Sequence, residues 1–243
     1  MIFEAKAILI AASLAYASYQ DVKTREIEDK VWLVTGAIGA ALTVCEIVVT
    51  PGYPVLLAGF SILLTTLLAF GIYYIGLYGG ADAKALTAIA VTMPIAPGSL
   101  GFISPFMPFT ILGNSLILSL MLIPACAISN LIWRISGKSL FNGVKATTVQ
   151  KIAALFTGLK VNAETAKSVH FNLMEKIADG GEHYLKLFTR VTDDDDVKVI
   201  DYKRGYVWVT PAIPMIIFFL AGYLLSLAGY DIIFRIVAFF MGS

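Results

Sequence analysis

Apolar residues fill this chain in long runs, separated by short polar stretches. A helix needs about 20 apolar residues to cross a hydrocarbon layer of roughly 30 Å. Six segments meet or approach that length: Ile2 to Tyr19, Val31 to Val49, Val55 to Tyr78, Ala83 to Ala96, Phe109 to Trp133, and Val207 to about Leu227. The fourth is short and broken by Pro94 and Pro97. The uncharged Pro- and Gly-rich stretch that follows it to Pro108 reads as a re-entrant or interfacial loop.

Only about Arg134 to Tyr206 has the pattern of a water-soluble segment. Thr147 to Leu159 and Ala163 to Ala178 show helical spacing of apolar residues, among them Val169, Leu173 and Ile177, with Gly180-Gly181 as the stop. Tyr184 to Val191 and Val197 to Val209 alternate as strands do, with Asp193 to Asp196 as their connection. The pattern predicts an all-α polytopic membrane protein with six transmembrane helices and a small α+β insert before the last helix. Residues 1–133 would form the membrane region of helices one to five, 134–206 the soluble insert, and 207–243 the last helix with its tail.

Composition agrees with the pattern. The chain is 58% hydrophobic and 14% charged, where a soluble domain carries about a quarter charged residues. Its first partner is therefore the lipid bilayer. Lys and Arg number 18 against 17 Asp and Glu, which provides no basic face for nucleic acid, and the apolar content excludes intrinsic disorder. Cys45 and Cys126 stand alone in apolar runs and read as buried small hydrophobes, with neither a disulfide framework nor a metal site.

Cytoplasmic loops collect Lys and Arg, and the asymmetry here is strong. Lys23, Arg25 and Lys30 fall in the first loop, Lys84 in the third, and most of the rest between Arg134 and Arg204. The second and fourth loops have none. With six spans, both termini lie outside and the insert lies in the cytoplasm. The first span reads as retained, because Glu4 and Lys6 cancel at its amino end and the positive charges follow it, the reverse of a cleaved signal.

Charge at bilayer depth is costly, at least about 2.5 kcal/mol per group, so ionisable residues there are functional candidates. Glu4, Asp231 and Arg235 read as interfacial, and Glu46 as a carboxylate reaching the outer interface or a neighbouring helix. Asp21 and Asp82 differ, since both stand at cytoplasmic ends of spans and at similar depth. Asp82 also suits a helix N-cap after the glycine turn, and Asp21 also reads as one charge among several in a juxtamembrane loop.

Two motifs bear on that choice. Gly79-Gly80-Ala81-Asp82-Ala83-Lys84 resembles the Gly-x-Gly-Asp-x-Lys motif of membrane aspartyl proteases of the type IV prepilin peptidase family. Asp21-Val22-Lys23-Thr24-Arg25-Glu26-Ile27-Glu28-Asp29 resembles the segment that carries the family's other catalytic Asp. The helix layout and the Trp208-Val209-Thr210-Pro211-Ala212-Ile213-Pro214 entry to the last helix are similar to the archaeal branch, the preflagellin peptidases. Ala81 replaces the motif's second Gly, and any positive φ there would cost about 1 kcal/mol more.

The resemblance implies an aspartic endopeptidase that needs no metal or cofactor. It would remove a short basic leader from preflagellin or type IV pilin-like precursors at the cytoplasmic face. The Cys-x-x-Cys pairs of methylating bacterial relatives are absent, which implies no methyltransferase activity.

Asp21 and Asp82 would be the catalytic pair and share one proton. The helix amino end and Lys84 favour Asp82 as the ionised member. Gly79 and Gly80 would let an extended substrate approach, and Glu26, Glu28 and Asp29 would attract the leader's basic residues. His170 and His183 fit neither a serine-hydrolase nor a zinc-protease pattern. Two other readings use the same aspartates: a presenilin-like protease cutting within a helix, and a proton- or cation-coupled transporter. Against the second, transporter sites lie near the midplane within inverted repeats, and no repeat is visible.

Overall fold

The computed structural model describes residues 1–98, 104–168, 170–177, 182–187 and 205–241. Among these, the order is α1 (Ile2–Thr24), α2 (Asp29–Val49), α3 (Val55–Tyr74), α4 (Gly80–Thr92), α5 (Met107–Ser119) and α6 (Leu122–Ile135). Then follow β1 (Val144–Lys145), α7 (Thr148–Thr157), β2 (Leu159–Asn162), a short 3-10 turn, β3 (Phe171–Leu173), β4 (Glu175–Ile177), β5 (His183–Leu185) and β6 (Tyr206–Pro211). The last helices are α8 (Met215–Leu227) and α9 (Ile232–Met241). The protein is thus mostly helical, with a small strand-containing region near its C-terminus.

Four described helices are long and apolar enough to cross a membrane: α1, α2, α3 and Met107–Ile135, the last taken through the break between α5 and α6. A fifth is possible in α8 with α9, a pair bent by 62°. The 13 residues of α4 fall short of a span.

Contacts divide the chain into one unit of residues 1–119 and 214–243 and another of residues 120–213. In the first, α4 is the inner helix, packed against α2 and α3 and touching α1, α5 and α8. Ala83, Ala85, Leu86, Ala88, Ile89, Ala90 and Thr92 are all buried. Small side chains let helices approach closely in a membrane, and alanine takes that role in α4. Its C-terminal end is satisfied by neighbours. Thr43 Oγ1 donates to the carbonyls of Val91 (2.9 Å) and Thr92 (3.0 Å), and Ser61 Oγ donates to that of Pro94 (2.7 Å).

Polar groups also join other helices of this unit. Buried Lys6 on α1 meets Glu46 on α2 at 2.5 Å. Asn114 on α5 donates to Ser226 Oγ (3.0 Å) and to the Tyr230 carbonyl (2.8 Å), and its Oδ1 accepts the Ile232 N–H at 2.8 Å. One side chain thereby pins the bend between α8 and α9. A Cβ on Gly222 would lie 2.8 Å from the Ile111 carbonyl oxygen, so α5 and α8 meet nearly backbone to backbone there.

The second unit holds two three-stranded sheets, in the orders β1-β5-β4 and β2-β6-β3. β1 is parallel to β5, and β6 is antiparallel to both β2 and β3. Trp208 is fully buried and centres one core with Leu140, Met174 and Leu185. Its indole N–H donates to the Leu140 carbonyl at 2.9 Å, and its ring stacks on Phe141. Glu175 links the sheets, accepting the Trp208 N–H at 2.8 Å while its other oxygen lies 3.2 Å from His183 Nδ1.

Several expectations need correction. Ala163 to Ala178 is not a helix; its described residues form the 3-10 turn, β3 and β4. The apolar spacing that suggested a helix serves a sheet instead, since Phe171 and Leu173 pair with β6. Val169, Ala178, Gly180-Gly181 and Asp193 to Asp196 lie outside the described residues.

The last apolar segment begins as strand β6, not as a helix. Val207, Val209 and Thr210 are β-branched, Trp208 also favours strands, and Pro211 and Pro214 delay the helix to Met215. Phe109 to Trp133 is broken into two helices. Cys45, expected to be buried, is exposed on α2 near the exposed Val44 and Val48, because the outer face of an apolar membrane helix meets lipid.

Candidate active site

Both candidate aspartates sit at helix ends in the first unit. Asp21 lies in the last turn of α1 and is buried. Asp82 is the third residue of α4, after the N-cap Gly79, and is partly buried. Asp82 is therefore not the cap itself. Its Oδ2 accepts the Gly79 N–H at 3.0 Å, which satisfies one donor of the helix start.

α1 touches α4, and Asp82 stands in the electric field of both Asp21 and Arg25. The structure thus brings together two carboxyl groups that are 61 positions apart in the chain.

Arg25 was not singled out by sequence. It caps α1 in a left-handed conformation, φ 60° and ψ 14°, and is the single non-glycine residue with positive φ among those described. This turn carries its guanidinium back to Asp21, with Nη1 3.1 Å from Oδ1. Lys84 behaves differently from the sequence expectation. Its ammonium lies 2.6 Å from Asp29 Oδ1 and so joins α4 to the start of α2, away from Asp82. Asp29 is thereby paired, while Glu26 and Glu28 are exposed.

The glycines have specific uses. Gly79 has φ −72° and ψ 157°, an ordinary extended conformation, but a Cβ there would lie 3.3 Å from Asp82 Oδ2. Its lack of a side chain keeps the carboxylate clear. At Gly80 a Cβ would have room, 3.7 Å from the Tyr73 ring. Ala81 lies within the first turn of α4, so no positive φ is asked of it. The left-handed residue in the turn from α3 to α4 is Gly76, with φ 82°.

Tyr78 was also missed. It is 8% exposed, packs edge-on against Phe219, and stands in the field of Asp82. Its hydroxyl makes no hydrogen bond among the described residues, and neither does the buried Ser18 hydroxyl, one turn before Asp21. No sequence signal marks either residue beyond its short distance from an aspartate.

The histidines stand apart in the second unit, His170 beside Ser168 Oγ at 2.8 Å and His183 beside Glu175. No group of three or more His, Cys, Asp or Glu that could hold a metal occurs among the described residues.

Comparison with known proteins gives the same direction. The type IV leader peptidase family matches residues 8–128, which include both aspartates, and the archaeal peptidase A24 C-terminus, type II, matches residues 150–232. The chain is 28% identical over 238 residues to a preflagellin peptidase of Methanocaldococcus jannaschii, covering 93% of this chain and 94% of the relative. It is 26% identical over 224 residues to that of Methanococcus voltae, with 88% and 90% covered, and 26% identical over 230 residues to that of Methanococcus maripaludis, with 90% and 92% covered. The two family matches, one on each part of the chain, and this likeness along nearly its whole length show that the chain is a protease and belongs to the type IV leader peptidase family.

Proposed function

We propose that the protein is a membrane aspartyl endopeptidase that removes the short basic leader of preflagellin or type IV pilin-like precursors, with Asp21 and Asp82 as its catalytic pair. The observation that carries this is the convergence of Asp21 and Asp82 at neighbouring ends of α1 and α4. The named activity of the relatives supports the substrate class.

Two carboxyl groups that act on each other electrostatically favour a state with one proton between them. Arg25 beside Asp21 neutralises a negative charge there, whereas Lys84 is taken by Asp29. Asp21 is thus the ionised member and Asp82 holds the proton, the reverse of the assignment read from sequence. Asp21 removes a proton from water as its oxygen attacks the scissile carbonyl. Asp82 protonates the carbonyl oxygen to give a gem-diol. As the C–N bond breaks, the proton gained by Asp21 passes to the leaving amine and Asp82 takes back a proton from a gem-diol hydroxyl, which leaves the carboxylic acid and restores the singly protonated pair.

The membrane layout has six membrane helices, of which the fourth, α4, is too short to cross the layer alone. Both termini lie outside, and the pair and the insert face the cytoplasm. The distribution of Lys and Arg supports this sidedness. Exposed Glu26 and Glu28 attract the leader's basic residues, and no methylation follows cleavage.

The test uses purified protein in lipid nanodiscs with a preflagellin-type precursor. Cleavage at the leader junction is expected, with loss of at least about a thousandfold in both Asp21→Asn and Asp82→Asn, a scale consistent with removing an acid–base partner. Retained cleavage in either folded variant, or a cut within the substrate's apolar helix, rejects the proposal.

A further inference from the structure

Among the described residues of the second unit, exposed large apolar side chains are concentrated on α6 and α7. On α7, Val149, Ile152 and Phe156 are 74%, 54% and 46% exposed, and their spacing of three and four places them in one stripe. The opposite side of α7 packs on α6, where Asn130 Nδ2 donates to the carbonyls of Leu155 (2.9 Å) and Gly158 (2.8 Å). α6 exposes its own row: Ile128, Leu131, Ile132 and Ile135.

Three observations say what covers this surface. First, α6, on which α7 packs, is the C-terminal half of Met107–Ile135, a stretch long and apolar enough to cross a membrane. Second, from Leu120 to Ala163 the chain has five cations and no Asp or Glu; Lys145 meets Glu182 and Lys160 donates to the Leu140 carbonyl, and Arg134, Lys138 and Lys151 are the other three.

Third, two of these lysines stand over aromatic rings. Lys138 Nζ lies 4.6 Å from the centre of Trp133 and 5.4 Å from that of Tyr206, and Lys151 Nζ lies 5.8 Å from that of Phe141. Trp, Tyr and Lys at the end of an apolar helix are the side chains that collect at a membrane interface, ring inward and charge toward the headgroups.

We propose that α7 is an interfacial helix that inserts its Val149-Ile152-Phe156 stripe into the headgroup region of the bilayer, with the flanking cations holding anionic phospholipid. A basic amphipathic helix binds a membrane surface through buried apolar area and attraction to anionic lipid together. The part of the chain read from sequence as freely soluble is on this account moored to the membrane along α7. The proposal does not rest on the peptidase reading.

The test is site-directed spin labelling of the full chain carrying C45S and C126A, in nanodiscs of phosphatidylcholine with phosphatidylglycerol. Labels are placed by Ile152→Cys and, independently, Val149→Cys. Lys176→Cys on β4, exposed in the same unit, serves as the water-facing control. At 152 and 149 the label is expected to be reached several times better by dissolved oxygen than by a water-soluble nickel chelate, with the opposite preference at 176. Replacing phosphatidylglycerol by phosphatidylcholine is expected to weaken the oxygen preference.

A nickel preference at 152 and 149 equal to that at 176 overturns the proposal. So does exclusion of both reagents, which would mean that protein, such as a second copy of the chain, covers the stripe. An oxygen preference indifferent to the lipid exchange overturns the anionic-lipid part.

Discussion

Arg25 holds a left-handed backbone at a cost of about 1 kcal/mol or more, and that conformation directs its guanidinium to Asp21. If Arg25 fixes which aspartate is ionised, Arg25→Gln lowers kcat at least tenfold with little change in KM, and Arg25→Lys restores part of it. Steady-state kinetics in nanodiscs checks this, and an unchanged kcat contradicts the division of roles. Tyr78→Phe removes one hydroxyl from the field of Asp82 and is expected to lower kcat while leaving the unfolding temperature within a few degrees. Asp21 and Asp82 were visible as candidates in the sequence because their local motifs carry the resemblance. Arg25 and Tyr78 were not, since a left-handed cap and an unpaired buried hydroxyl are consequences of how the helices meet.

At the scale of elements, α4 explains the motif's tolerance of Ala81. The residue is helical, so Ala81→Gly is expected to lower stability by up to about 1 kcal/mol without raising cleavage. Gly76→Ala forces a side chain into a positive φ and is expected to cost about 1 kcal/mol, read as a lower unfolding temperature. Asn114→Ala leaves the Ile232 N–H and the Tyr230 carbonyl without their partner, an expected loss of about 1–3 kcal/mol in detergent unfolding. The first three helices could be read from apolar runs because hydrophobic length decides them. β6 could not, because apolar content alone does not separate a buried strand from a span. The supposed helix from Ala163 failed for the same reason: of the apolar residues spaced four apart, Leu173 pairs with β6 and Ile177 with β5.

On the scale of the whole molecule, two folding units share one chain but are held by different forces. The second depends on a carboxylate: Glu175→Ala would leave the Trp208 N–H and His183 without that acceptor, at an expected cost of about 1–3 kcal/mol to this unit. The first unit depends on charge of another kind. Lys6 and Glu46 are 40 positions apart, on separate helices, yet each is the other's counter-ion. Neither is tolerable alone in hydrocarbon, so α1 and α2 have reason to enter the bilayer as a hairpin rather than in succession. Membrane assembly should then be order-dependent: Lys6→Ala would strand an acid in a helix still being threaded, and Lys6→Ala with Glu46→Ala would relieve it, an insertion defect that appears and disappears before the enzyme has met any substrate.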